Sequence, residues 1–314
     1  MKSIEKINKA ANKQIVFYGS DSPNKDIEPM SCGVSSVDTA LVIGGFPKGR
    51  ISEIFGLPGV AKTSFALWMI GVQQKLGKVC AFVDAECALD MDFAEKLGVD
   101  TEKLIVIQGD CGEENLEAVE TLLRDKAVEL VVIDSVPSLV PRSEIEAEMN
   151  KPQMGGQARM LASGLRKLVP LCAKSGAVVL FINQQRVNIM GGYAPYTTPG
   201  GMALRFYSSV RIELKRGSAI SLNGGKSIDG YQIKFLFKKN KVGKPSVEVD
   251  ADFLFDGGFT SEVNILDIGA ERGVLRRDGN TFWYGEQKLG MRSKALEYIE
   301  QHNLREELLQ AING

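Results

Sequence analysis

The sequence is short of the residues on which several common enzyme classes depend. Its one histidine, His302, lies in a polar stretch near the end of the chain. No Ser-His-Asp triad, Cys-His dyad or multi-histidine metal site can be built within one chain without it, and we interpret it as a solvated surface residue. The five cysteines are scattered and include no C-x-x-C pair, which favours reduced thiols over a disulfide framework or a zinc site.

Long apolar runs and an excess of charge of one sign are absent as well. No stretch approaches the roughly 20 apolar residues of a membrane span, and the first residues carry charges where a signal peptide needs an apolar run. We therefore expect a cytoplasmic protein without a membrane partner. The chain has 38 Lys and Arg residues and 39 Asp and Glu residues. Its net charge therefore gives no overall attraction to nucleic acid, and any DNA site must be a local basic patch.

What remains is a chain of 314 residues with 44% hydrophobic and 25% charged residues, the composition of an ordinary globular protein. Short β-branched runs alternate with helical stretches from about residue 33 to 250, which predicts an α/β fold with a mostly parallel central sheet covered on both faces. The runs are Ile51–Phe55, Val79–Val83, Leu104–Ile107, Leu130–Ile133 and Val178–Ile182. Two later runs, Val210–Leu214 and Tyr231–Phe237, predict antiparallel strands that finish the sheet.

The two ends of the chain differ from this core. Residues 3–13 predict a short amphipathic helix and Gln14–Tyr18 a strand. Nothing local packs on them, so they either dock on a partner subunit or form a frayed tail. The residues after Gly258 predict a small α/β lobe, with a last helix that starts at Asn303 and a capping box completed by Glu306. We therefore divide the chain into residues 1–32, 33–256 and 257–314.

A glycine-rich loop between a predicted strand and a predicted helix is the most informative stretch. It consists of Gly56, Leu57, Pro58, Gly59, Val60, Ala61, Lys62, Thr63 and Ser64. Backbone N–H groups of such a loop curl around a phosphate at the helix N-terminus. The lysine would reach the terminal phosphates of a nucleotide and the threonine would hold Mg²⁺. Ala61 stands where the usual pattern has glycine, so the loop alone does not decide the function.

Other polar side chains fall at predicted carboxyl ends of strands, where an α/β sheet presents its ligand site. Asp134 is placed to order Mg²⁺ through water, and Glu86 is either a surface acid or the group that orients a water for attack on a γ-phosphate. The amide of Gln184 suits a γ-phosphate sensor, and a long glycine-rich segment follows it. Lys239 and Lys241 end a later strand, where a solvated basic edge is the alternative.

Together and in this order, these features resemble the bacterial and phage RecA-type recombinases. The matching phrases are Ala81–Glu86, Val132–Val136, Phe181–Gln184, Ala203–Arg211 and Lys239–Lys241. The resemblance, which runs from about residue 14 to 300, implies a RecA-like P-loop ATPase core in a bacterial or phage-infected cell. It implies a DNA-dependent ATPase that forms helical filaments on single-stranded DNA and catalyses homologous pairing and strand exchange. ATP and Mg²⁺ are the implied cofactors, and the implied partners are single- and double-stranded DNA, further copies of the chain, and single-strand-binding and mediator proteins.

The resemblance also implies roles at the nucleotide site. The residues implied to bind ATP are the loop from Gly56 to Ser64, Asp90, Phe93 and Asp134. Thr63 would bind the metal directly and Asp134 would bind it through water. The residues implied to be catalytic are Lys62, Glu86, Gln184, Lys239 and Lys241. The last two would reach the ATP of a neighbouring subunit, so that catalysis depends on assembly.

Two loops would contact DNA, the first at about residues 144–159 and the second at about 185–202. The implied contacts are Met154, Arg159, Arg166, Arg186, Ile189, Thr197, Thr198, Gly200 and Gly201. Met154 is either an apolar wedge between bases or core filler. The N-terminal helix and strand would dock on the adjacent subunit. The C-terminal lobe would gather duplex DNA, unless its aromatics form the lobe's own core; the residues concerned are Arg272, Arg276, Arg277, Trp283, Tyr284 and Lys288.

Ala61 is the departure from the family pattern with the clearest physical consequence. Its methyl is tolerated if φ is negative and costs about 1 kcal/mol or more if φ is positive. We therefore expect slower or weaker ATP use rather than none. Two alternatives stay open: a nucleotide-gated DNA-binding or mediator protein with little ATP hydrolysis, and a helicase or transport motor of the same fold that forms closed rings.

Overall fold

A large sheet organises the chain, which is described by a computed structural model over residues 2–21, 26–148, 155–187, 196–221, 227–259, 265–266, 269–270, 272–279 and 281–313. The strands, numbered along the chain, are β1 (Pro29–Met30), β2 (Phe46–Pro47), β3 (Ile51–Gly56), β4 (Cys80–Asp84), β5 (Ile105–Ile107), β6 (Leu130–Asp134), β7 (Val178–Gln184), β8 (Arg186–Val187), β9 (Tyr196–Thr197), β10 (Val210–Ile220), β11 (Gly230–Asn240), β12 (Glu248–Leu254), β13 (Gly258–Phe259), β14 (Leu275–Asp278), β15 (Thr281–Tyr284) and β16 (Gln287–Met291). The helices are α1 (Lys2–Ala10), α2 (Ser35–Ala40), α3 (Lys62–Lys75), α4 (Met91–Lys96), α5 (Gly112–Arg124), α6 (Arg142–Ile145), α7 (Gly156–Ser175), α8 (Ala203–Tyr207), α9 (Arg292–Gln301) and α10 (Arg305–Asn313).

The central sheet has nine strands in the order β13-β12-β11-β10-β3-β7-β6-β4-β5. The neighbours from β10 to β5 run parallel, whereas each pair between β10 and β13 is antiparallel. The prediction of a mostly parallel sheet finished by antiparallel strands is confirmed. Parallel order places the carboxyl ends of β3, β4, β6 and β7 at one edge, where α/β proteins bind their ligands.

The β-branched runs form strands because both faces of the sheet are covered. In β6 the side chains of Leu130 and Val132 belong to one hydrophobic cluster and those of Val131 and Ile133 to another. The first cluster includes residues of α3, and the second includes residues of α5 and α7. A strand buried on both faces reads as a continuous apolar run, as these do.

Aromatic packing fixes the helix that follows the glycine-rich loop. Phe65 on α3 is fully buried, and its ring centroid lies 5.2 Å from that of Phe235 and 5.5 Å from that of Phe259. These tilted and edge-on contacts are the favoured geometries of aromatic pairs. They hold the first turn of α3, and therefore the loop before it, against the sheet.

The N-terminal helix forms, but the strand predicted at Gln14–Tyr18 does not. Within the described residues this segment has no strand partner, and a strand needs one to satisfy its backbone groups. The side chain of Asn8 takes over part of that pairing: Oδ1 accepts from the backbone N–H groups of Ile15 (2.8 Å) and Val16 (2.9 Å), and Nδ2 donates to the Val16 carbonyl (3.0 Å). Asn8 thus fixes the backbone of the segment at Ile15 and Val16.

The C-terminal residues form a three-stranded antiparallel sheet, β14-β15-β16, with a hydrophobic cluster shared by α9 and α10. The last helix begins at Arg305, so the prediction that Asn303 caps it is wrong. Asn303 has φ 50°, and the N–H of Leu304 donates to the Ile299 carbonyl at 3.0 Å. These are features of a helix C-terminus, so Asn303 ends α9 instead of starting α10.

Candidate functional site

The glycine-rich loop joins the carboxyl end of β3 to the N-terminus of α3, as predicted. A Cβ on Gly56 would lie 2.4 Å from the Leu214 carbonyl oxygen on the neighbouring strand, so only glycine fits there. Leu57, Pro58 and Gly59 are exposed, and Val60 is buried. The first N–H groups of α3 have no partner within the helix and therefore face an anion-binding position.

Ala61 has φ 59° and ψ 30°, a left-handed conformation at the last residue before α3. This is the unfavourable one of the two cases considered from the sequence, because the Cβ of an L-residue crowds its own carbonyl there. The loop therefore carries backbone strain in this residue.

Three polar side chains lie close to the loop: those of Lys62, Thr63 and Asp134. The ammonium of Lys62 donates to the carbonyls of Gly56 (3.2 Å) and Leu57 (2.8 Å), and the Thr63 hydroxyl donates to Asp134 Oδ2 at 2.5 Å. Burial lowers the pKa of Lys62 despite the charges of Asp134 and Glu86. Burial also raises the pKa of Asp134 to about 6; the charges of Glu86 and Asp84 add to this, and the Thr63 hydrogen bond and Lys62 oppose it.

Glu86 and Gln184 meet at the same edge of the sheet. The Gln184 Nε2 donates to Glu86 Oε1 at 3.3 Å, and the hydroxyls of Ser135 and Ser138 also donate to that oxygen, the second at 3.4 Å. Glu86 itself is exposed. A carboxylate fixed by three donors and open to solvent can orient a water molecule.

The donor set fits a nucleotide with Mg²⁺. Magnesium keeps several waters and takes one or two protein oxygens together with phosphate oxygens, and the adjacent hydroxyl of Thr63 and carboxylate of Asp134 are such a pair. Within the described ranges, no group of three or more His, Cys, Asp and Glu side chains could hold a metal ion. A metal bound mainly by phosphate and water is the kind that this site suits. Ser64, the third residue of α3, is half-buried.

Asp90 and Phe93 lie at the start of α4. The Asp90 carboxylate accepts from the Phe93 backbone N–H at 3.0 Å and caps the helix. Phe93, like Ala61, is partly buried and packs against the core cluster that includes Val60. The structure thus gives both residues a structural task, and an adenine contact stays a prediction.

Lys239 and Lys241 lie away from the phosphate loop of their own chain. Lys239 pairs with Arg211, which in turn pairs with Glu53 on β3, three residues or about 10 Å before Gly56. Its ammonium donates to the carbonyls of Arg205 (2.7 Å) and Phe206 (2.9 Å). Burial, then the charges of Lys241 and Arg211, lower the pKa of Lys239. The backbone N–H of Lys241 donates to the Ser209 carbonyl, just before β10 begins. Both lysines therefore lie toward the edge of the sheet opposite the phosphate loop.

The base of the second loop is packed in place. Arg205 donates to the hydroxyls of Thr197 (2.9 Å) and Thr198 (3.2 Å), and each hydroxyl keeps its own proton to donate. Gly200 and Gly201 have φ of 86° and 73°, and a Cβ on either would come within 3 Å of Leu161, Val136 or Ala158. Both glycines are thus required for the loop to pack on α7.

The arginines expected at DNA are exposed. Arg159 and Arg166 lie two turns apart on one side of α7, and Arg186 lies in β8, paired with Thr197. Met154 and Ile189 lie outside the described residues.

A cavity of about 840 Å³ lies between the phosphate loop, which lines it with Leu57 and Pro58, and the base of the second loop, which lines it with Thr197 and Thr198. Its cationic lining is Arg205, Arg211, Lys215, Arg216 and Lys238.

Comparison with known proteins identifies the family. Residues 1–260 match the family model of the RecA N-terminal domain. The chain belongs to the RecA family. It is 42% identical over 291 residues to Protein RecA of Paracoccus denitrificans, which covers 92% of this chain and 81% of the relative. It is 41% identical over 303 residues to Protein RecA of Rubrobacter xylanophilus, which covers 96% and 87%.

A solved structure supports the fold of this RecA-family chain. The crystal structure of the RadB recombinase matches with a TM-score of 0.55 and 19% identity, over 73% of this chain and 97% of that one. In the described part of the chain, none of the helices is both long enough and apolar enough to cross a bilayer.

The C-terminal part of this RecA-family chain carries a stripe of stacked cations. Arg276, Trp283 and Lys288 are cross-strand neighbours on β14, β15 and β16. The Arg276 guanidinium lies 4.9 Å and the Lys288 ammonium 5.7 Å from the Trp283 ring. Phe282 on the same strand is buried in the cluster of the lobe. Of the two aromatics named from the sequence, Tyr284 packs partly buried against that cluster, whereas Trp283 is flanked by the two charged side chains.

Sequence reasoning missed several residues of this RecA-family site. Ser135 and Ser138 bind Glu86 from a different segment, and Arg205 holds the second loop. Ser135 directly follows Asp134 at a strand end, a position that could have suggested a role at this edge. The contacts of Arg205 carry no comparable local signal.

Proposed function

We propose that this chain is an ATP-dependent DNA recombinase that forms helical filaments on single-stranded DNA and exchanges homologous strands. Membership of the RecA family makes it a DNA recombinase of recombination and repair and a DNA-dependent ATPase. The observation that carries the mechanism is the convergence of Lys62, Thr63, Asp134, Glu86 and Gln184 at one edge of the sheet.

Hydrolysis follows from what each side chain can do. The backbone of the loop and Lys62 would bind the phosphates, and Thr63 and Asp134 would hold Mg²⁺, whose charge would stabilise the phosphate oxygens. Glu86 orients the attacking water and accepts its proton. Gln184 can exchange its hydrogen bond to Glu86 for one to the γ-phosphate, and it directly precedes the second DNA loop.

Assembly supplies the remaining groups. Lys239 and Lys241 lie away from the phosphate loop of their own chain, so they suit the nucleotide of a neighbour. The segment held by Asn8 presents the exposed side chains of Ile15, Phe17 and Tyr18. In the described part of the chain β5 is the terminal strand of the sheet, and strand addition at such an edge is a common docking mode.

DNA binding rests on exposed arginines near the two loops and on the aromatic stripe of the C-terminal residues. Phosphate contacts from Arg159, Arg166 and Arg186 carry no sequence information, which suits a protein that pairs any homologous strands. The stripe around Trp283 is the part we assign to duplex DNA. Single-strand-binding and mediator proteins are the further partners that we propose, in the cytoplasm of a bacterial or phage-infected cell.

The Glu86→Gln variant tests this function. It keeps the hydrogen-bonding shape of the side chain but removes the base, so ATP and DNA binding should persist while hydrolysis falls by about 100-fold or more. Electron micrographs should still show helical filaments with DNA and ATP. Glu117→Gln, an exposed residue of α5, is the matched control and should behave as the parent. Wild-type hydrolysis in the Glu86 variant, or closed rings in place of filaments, would reject the proposal.

A further inference from the structure

The side chain of Asn183 is fully buried and makes three hydrogen bonds at the start of the second loop. Its Nδ2 donates to Glu53 Oε1 at 2.9 Å and to the Pro199 carbonyl at 3.2 Å. Its Oδ1 accepts from the Gln184 backbone N–H at 2.9 Å. One amide thus joins β3 to both ends of the segment between Gln184 and Pro199.

Glu53, the partner of Asn183 on β3, is itself held in place by a buried ion pair. Glu53 is 0% exposed, and its other carboxylate oxygen is paired with Arg211 of β10. The Arg211 guanidinium lies 4.7 Å from the centroid of the Phe55 ring. Removing one partner of a buried ion pair is strongly destabilising, so the Glu53 carboxylate is a rigid anchor for the amide.

The same amide lies beside the nucleotide site. In the parallel pairing of β3 with β7, Asn183 pairs with Phe55 and Gln184 pairs with Gly56, the first residue of the phosphate loop. Gln184 in turn donates to Glu86. A displacement of Gln184 therefore acts directly on the Asn183 amide and, through it, on the Pro199 end.

We propose that Asn183 is a positioning residue that couples the nucleotide site to both ends of the second DNA loop. The inference rests on the proposed function of Gln184 and of that loop. With Asn183 in place, the two ends respond to the nucleotide together; without its donor, they respond separately. Because coupling between two ligands is reciprocal, ATP should lose its effect on DNA binding by the same factor as DNA loses its effect on ATP binding.

The test uses Asn183→Asp in the full chain. Aspartate has nearly the same shape and keeps the acceptor for Gln184, but it places an oxygen against the oxygens of Glu53 and Pro199. The dissociation constant of a labelled single-stranded oligonucleotide is measured by fluorescence anisotropy, with and without a slowly hydrolysed ATP analogue and Mg²⁺. We expect the tightening by the analogue to fall about tenfold, while the affinity for the analogue without DNA stays within about twofold.

Ser52→Ala is the matched control, because the Ser52 hydroxyl is buried on the same strand without a hydrogen-bond partner. It should leave the coupling unchanged, which separates a positioning role from a general loss of packing. A folded Asn183→Asp protein with wild-type coupling would overturn the inference. A wild-type protein whose DNA binding ignores nucleotide would overturn the proposed function instead.

If Asn183→Asp does not fold, a second measurement, on the wild-type protein, tests the inference. Amide hydrogen exchange is followed at residues 183–187 and 196–201 before and after addition of the analogue. The inference requires both segments to change protection together. A change confined to one of them would contradict it.

Discussion

The left-handed backbone at Ala61 predicts that glycine at this position stabilises the protein. With φ 59° and ψ 30°, an L-residue bears a strain of about 1–2 kcal/mol that glycine does not. The greater freedom of glycine in the unfolded chain opposes this by about 0.4–1 kcal/mol, and loss of the half-buried methyl by about 0.4 kcal/mol. The balance is a gain of about 0.5 kcal/mol in the free energy of unfolding for Ala61→Gly.

Urea unfolding at fixed pH measures this change through the transition midpoint. Ala66→Gly is the control, since Ala66 is fully buried in the interior of α3 and glycine there should cost about 1 kcal/mol or more. The two Ala→Gly changes therefore shift the midpoint in opposite directions. A loss of stability in Ala61→Gly as large as that in Ala66→Gly would refute the left-handed conformation. We also expect the glycine variant to bind ATP more tightly, because the backbone then approaches the phosphates more closely.

Three other experiments test the site. Because burial raises the pKa of Asp134 to about 6, ionisation of this carboxyl destabilises the folded state above about pH 6 and not below about pH 4. Asp134→Asn should therefore raise the free energy of unfolding in urea by about 2 kcal/mol at pH 8 and change it little at pH 4. An equal effect at both pH values would contradict this. Arg159→Ala and Arg186→Ala should each lower the slope of log affinity for single-stranded DNA against log salt by about 0.7, whereas Lys174→Ala, at the far end of α7, should not. A mixture of Lys239→Ala with Lys62→Ala should hydrolyse more ATP than either alone, since one supplies the lysine that the other lacks; no gain on mixing would exclude action between subunits.

The strands and the phosphate loop are predictable because local sequence determines them. A run such as Leu130–Ile133 is apolar on both faces and can only be buried, and the loop before Lys62 has a fixed spacing of its own. The segment Gln14–Tyr18 has the same strand-like composition but has no strand partner among the residues that the structure describes. The composition of a segment indicates its tendency to form a β-strand, but it does not show whether another strand lies beside it to pair with. Asn303 is ambiguous in a similar way, because asparagine both starts and ends helices.

Of the candidate site, only the residues at the ends of strands are predictable from the sequence. Glu86, Asp134 and Gln184 come together because parallel strands bring their carboxyl ends to one edge. The anchoring of the second loop depends on pairs that are distant in sequence, such as Asn183 with Glu53, 130 residues apart. No local pattern encodes such a pair.

The rate of ATP hydrolysis with and without single-stranded DNA, with Lys62→Ala as the control, tests the central claim most directly. The account predicts strong stimulation by DNA that disappears in the Lys62 variant, with a modest absolute rate because of the strained Ala61. DNA binding that depends on ATP but proceeds without hydrolysis would contradict it and favour a nucleotide-gated DNA-binding protein.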